Sequence, residues 1–129
     1  MRRRELLAYL VGAAVAGTLL VGPYAGRALI ASFVPLVPYV PFFLLPIVWG
    51  GWNWLYVRLE PRLDVGAWGA VLGLLLGLAV AALFYVRGTW FAATALLPIF
   101  LPLVYFLLWR FVVGPLNDAT GVTAATRLP

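Results

Sequence analysis

Between Arg27 and Arg58 the chain runs for thirty residues, Ala28–Val57, without a charge. A single α-helix of that length would extend about 45 Å, against a bilayer hydrocarbon core of roughly 30 Å. The stretch is also broken by its own composition. Pro35, Pro38 and Pro41 recur every three residues, and each removes a backbone donor and disfavours helix in the residue before it. The run is therefore expected to divide. Ala28–Val40 reads as a broken or interfacial segment, and a membrane span follows from Pro41 to Arg58, kinked around Pro46.

That division only makes sense in lipid. Of 129 residues, 65% are apolar and 10% charged, whereas a soluble domain carries about a quarter charged residues on its surface. The expected fold class is an all-α integral membrane protein forming a single domain with four transmembrane helices, at about 6–22, 41–58, 66–86 and 91–113. MRRRE followed by Leu6–Gly22 resembles a signal peptide, but the apolar run is long for a signal core and everything after it is equally membranous. It is read as a retained first span. PYAGR (Pro23–Arg27), RLEPRLD (Arg58–Asp64) and RGTW (Arg87–Trp90) are expected turns. Residues 114–129 read as a polar tail without periodicity.

All nine cations are arginines, and their distribution sets an expected topology. With the amino terminus inside, Arg2, Arg3, Arg4, Arg58, Arg62, Arg110 and Arg127 fall inside, and Arg27 and Arg87 outside. Seven against two is a strong positive-inside bias. Both termini are thus expected in the cytoplasm of a bacterium, with the spans in its inner membrane. Arg2, Arg3, Arg4, Arg58, Arg62 and Arg110 are expected to face lipid phosphates or to fix topology, Arg110 by snorkelling. This placement argues against nucleic acid as a partner despite the net charge of +5.

Small residues mark helix-packing faces. Gly69, Gly73 and Gly77 stand four apart on the third span, as do Gly12 and Ala16, and Ala13 and Gly17, on the first. Such faces let backbones approach closely in lipid. The halves also resemble each other. Leu6–Val21 laid on Val71–Val86 gives seven identities in 16 positions, and Pro46 then matches Pro102 and Pro61 matches Pro115. This suggests a tandem repeat of two helical hairpins, with nine surplus residues in the first half (Gly12–Pro46 against Gly77–Pro102).

The residue inventory narrows the chemistry. Cysteine, histidine and lysine are absent, which removes thiolate sites, the commonest general base and a Schiff-base amine. The four acids, Glu5, Glu60, Asp64 and Asp118, sit at or beyond span ends, so no carboxylate lies at membrane depth to couple transport. No enzyme activity and no metal site are expected, and no cofactor is implied. The remaining candidates for ligand or partner contact are Pro46, Trp49, Gly50, Gly51, Trp52, Asn53, Trp54 and Tyr56. The indoles suit an interfacial aromatic belt. Asn53 and the Gly50–Gly51 gap suit a neighbouring helix or a bound lipid, quinone or pigment. The expected function is a non-catalytic accessory or assembly subunit of a larger membrane complex. Its partners would be membrane lipids and other transmembrane helices, a hetero-complex being favoured over a homo-oligomer. The alternative is a small homo-oligomeric transporter or channel, with proline-broken spans two and four lining its path.

Overall fold

The computed structural model describes residues 2–33, 37–90 and 92–123. Pro35, Arg127 and the last six residues of the expected tail lie outside them, as does Phe91. Among the described residues all regular structure is helical, and three helical stretches are long and apolar enough to cross a membrane: Arg3–Ala31, Val65–Val86 and Ala92–Ala119.

The first stretch joins α1 (Arg3–Leu19) to α2 (Val21–Ala31). Only Leu20 interrupts the helical assignment, and its backbone stays right-handed (φ −59°, ψ −25°). The turn expected at Pro23–Arg27 is therefore not present. Pro23 falls in the first turn of α2, where its missing N–H costs nothing, and the Tyr24 amide bonds back to the Leu20 carbonyl at 3.3 Å. Helix accordingly extends into the segment expected to be broken, up to Ala31. Val37–Val40 carries no regular structure. The Arg27 guanidinium donates to the Val37 carbonyl (3.5 Å), and the Tyr24 ring meets Phe42 edge-on at 5.5 Å.

The second helix is shorter than expected. A 3₁₀ turn, Phe42–Leu44, precedes α3, Leu45–Leu59. Fifteen residues of α-helix reach about 22 Å, so α3 alone falls short of a hydrocarbon core. Pro46 is not a kink: it stands at the second residue of α3, a position whose N–H has no intrahelical partner in any case. After the turn at Glu60–Asp64 comes α4, Val65–Val86, whose first turn is capped by the Asp64 carboxylate accepting from the Gly66 amide at 3.0 Å.

The last stretch is continuous from a 3₁₀ turn (Ala92–Leu96) through α5 (Leu97–Leu108), a π turn (Trp109–Val113) and α6 (Gly114–Ala119). The polar tail thus begins as helix, because Pro115 also occupies a helix's second position. Pro46 and Pro98 stand in similar local settings. Each follows a 3₁₀ turn and a leucine cap of nearly equal backbone angles, Leu44 at φ −79°, ψ −14° and Leu96 at φ −79°, ψ −17°. Pro102 lies inside α5.

The helices pair as two antiparallel hairpins, α1 with α3 and α4 with α5. Each closes on a glycine of its first helix. A Cβ on Gly73 would lie 2.6 Å from the Leu101 carbonyl oxygen, and one on Gly77 would lie 2.8 Å from that of Leu97. A Cβ on Gly12 would meet the Trp49 carbonyl, and one on Gly69 the Trp109 indole. These distances leave room for hydrogen alone, which is why the positions carry no side chain. Gly12 is therefore placed like Gly73, one helical turn from Gly77, the residue that identity matches to it. A slip of four residues keeps the same face inward, so the apolar faces of the helices alone do not distinguish the two alignments.

Both hairpins end in an arginine–carboxylate pair, Arg4–Glu60 at 3.1 Å and Arg110–Asp64 at 3.2 Å. The main core lies in the half nearest these pairs, built on Val15, Ala16, Trp49, Trp68, Leu72, Tyr105, Trp109 and Val113. None of α2 is buried.

Candidate functional site: the seam between the hairpins

On α3, Trp49, Trp52 and Asn53 stand at i, i+3 and i+4 and so share a face. That face meets the second hairpin. The Trp49 indole N–H donates to the Tyr105 hydroxyl (3.2 Å), with the rings edge-on at 5.0 Å. Trp52 and Trp68 exchange bonds: each indole donates to the other's backbone carbonyl, at 2.9 and 3.0 Å, and the rings stack at 4.7 Å and 23°. The polar edges of both indoles are thus bonded within the bundle.

Asn53 is fully buried and makes the tightest set of contacts. Its amide donates to the Ala8 carbonyl (2.7 Å) and to the Asn117 side-chain oxygen (2.8 Å), and Asn117 donates back to Asn53 at 2.9 Å. Asn117 is equally buried. The pair brings α6 onto the first hairpin, and Val122 follows, buried against Ala8 and Val57. Residues 114–123 therefore form a strap across the base of α1 and α3. Arg4 fastens it by donating to the Val122 carbonyl.

The π turn makes this reach possible. Tyr105, Trp109, Val113 and Asn117 are all buried at intervals of four residues. In an unbroken α-helix each interval drifts about 40° around the axis, which would carry Asn117 off the seam. The wider π winding takes up part of that drift. Such turns are frequent at functional sites. Among the described residues the buried indole N–H of Trp109 has no acceptor, at a cost of roughly 1–3 kcal/mol.

The other expected site residues are placed as follows. Pro46 starts α3, away from the seam. Gly50 is covered by Tyr9, whose carbonyl would lie 2.8 Å from a Cβ there, while Gly51 faces open space. Trp54 is at the rim, its indole donating to Glu5 at 3.4 Å and its ring 5.3 Å from the Arg58 guanidinium. Tyr56 packs beside Trp68, with rings 5.9 Å apart. Gly69, Gly73 and Gly77 all face the α5 arm within the chain. Arg4 and Arg110 are held by carboxylates, and Arg2, Arg3, Arg58 and Arg62 are exposed. Among the described residues no cluster of acids could hold a metal ion.

Sequence reasoning missed Ala8, Trp68, Tyr105, Trp109, Asn117 and Val122. The four-residue spacing from Tyr105 to Asn117 was the available signal, hidden by the assumption that Gly114–Pro115 ends the helix. Comparison with protein-family models, curated proteins and solved structures found no match to this chain.

Proposed function

We propose that this chain is a four-span, non-catalytic protein of a bacterial inner membrane that acts by helix packing, as an accessory or assembly subunit of a larger complex. The fourth span in this reading is Phe42–Leu59, its 3₁₀ turn and α3 together reaching roughly 27 Å, with local bilayer thinning covering the remainder. The arginine-bearing end faces the cytoplasm.

The observation that carries the reading is the state of the polar groups inside the bundle. Asn53, Asn117, Trp49, Trp52 and Trp68 spend their hydrogen bonds on one another and on the backbone. Transport paths are lined by polar groups turned to a cavity; here those groups close the protein on itself. Broad apolar faces remain outside, including Leu74, Leu75 and Leu78 on α4 and Ile99, Phe100 and Leu103 on α5. Further helices or lipid cover them.

Purification in mild detergent tests this. The expected result is a larger assembly with partner chains in fixed ratio. A lone homodimer, together with solute flux in proteoliposomes that Asn53→Ala abolishes, would replace the reading with the transporter one.

A further inference from the structure

The π turn at Trp109–Val113 amounts to one surplus residue in the last helix. Its closing bond runs from the Gly114 amide to the Trp109 carbonyl, five residues back, where an α-helix spans four. Everything after it therefore stands about 100° around the axis, and about 1.5 Å along it, from where an unbroken α-helix would place it. Gly114 suits the wider winding. A Cβ there would come within 3.0 Å of the Val65 side chain and 3.1 Å of the Trp109 carbonyl oxygen.

The residues fit the unbroken winding too. Trp109, Val113 and Leu116 stand at i, i+4 and i+7, which in an α-helix is one apolar face. Taking out the surplus residue brings Leu116, now 40% exposed, to the place that Asn117 holds opposite Asn53. Each winding carries a cost. The present one keeps a rare helical form and a buried Trp109 indole N–H with no acceptor among the described residues. The other strands the Asn53 amide beside a leucine. Arg4 donates both to the Val122 carbonyl and to Glu60, so letting go of the strap does not leave its charge unpaired.

We propose that Trp109–Val113 is a register switch. The last helix has two windings one residue apart, and the Asn53–Asn117 pair selects the present one. That choice seats residues 114–123 over Ala8 and Val57. Loss of the pair lets the π turn relax to α-helix, and the strap then leaves the base of α1 and α3. This goes beyond the packing role proposed above and does not depend on a partner chain.

The chain has no cysteine, so Val57→Cys with Val122→Cys reports the seated strap by disulfide cross-linking. Detergent unfolding of the same full-length chain reads its stability. Phe111 is exposed and lies inside the π turn. Deleting it should leave an unbroken α-helix with Asn117 still opposite Asn53, and both cross-link and midpoint should hold. Deleting Leu75, which is also exposed but lies in the regular winding of α4, should lose both. Asn117→Leu should lower the midpoint. Adding Leu116→Asn should restore it by pairing with Asn53 from the α winding, while the cross-link is lost because Val122 has turned away. Three results would overturn the proposal: a Phe111 deletion as damaging as that of Leu75, a Leu116→Asn that leaves the midpoint low, or one that restores it with the cross-link intact.

Discussion

Inside each hairpin the closest approaches bring glycine against backbone carbonyls; between the hairpins the contacts run through long side chains. Gly73 and Gly77 press directly on the Leu101 and Leu97 carbonyls, and Gly12 on that of Trp49. The seam instead uses indoles and two amides. The two contacts differ in what can replace them. A backbone approach tolerates no added atom, so the hairpin is set by the absence of side chains. A seam of donors and acceptors can lose one partner and be repaired by changing the other. The hairpins are thus the rigid units, and the seam is the adjustable joint.

The comparison can be broken most severely within a hairpin. Gly73→Leu should cost roughly 3 kcal/mol, since Leu101 and Pro102 offer only backbone to move; Gly17→Leu, facing open space, should cost little. Detergent-unfolding curves read both, and equal stability of the two variants would remove the glycine contact from the account. At the seam, Asn53→Leu should cost about 2 kcal/mol by stranding the buried Asn117 amide. Asn53→Leu combined with Asn117→Leu should recover part of that loss, because no polar side chain is then stranded; strictly additive losses would mean the amides do not act as a pair. Trp52→Phe keeps the stacked ring but removes one indole donor, for about 1 kcal/mol, visible as a shift in midpoint. Smallest is Arg110→Gln. Its half-exposed pair with Asp64 should contribute under about 1 kcal/mol, and added salt should erase the difference.

Helical structure and apolar stretches long enough to cross a membrane were legible in the chain. Proline was the main source of error. Pro23 reads as part of a turn, Pro46 as a kink and Pro115 as part of a tail, yet each sits in the first turn of a helix. A proline's meaning depends on where helix begins, and uniform apolar sequence does not mark that point. Pro46 is paired by identity with Pro102 rather than with Pro98 for a related reason. Leucine-rich helices match equally well after a one-turn slip, and only LLPI, shared by Leu44–Ile47 and Leu96–Ile99, distinguishes the registers. The partner of Asn53 was illegible because a π turn redirects the last helix, and its effect on phase appears nowhere in the composition.

The strap has a consequence in time. Asn117 follows Asn53 by 64 residues, and ribosomes add about 5–20 residues per second. For roughly 3 to 13 seconds of synthesis, then, the amide of Asn53 is in place with its eventual partner still unmade. During that interval the first hairpin has its helices but not its clasp, and the base at Ala8 and Val57 is uncovered. The bundle is finished from its far end backwards, by almost the last stretch of described chain to leave the ribosome.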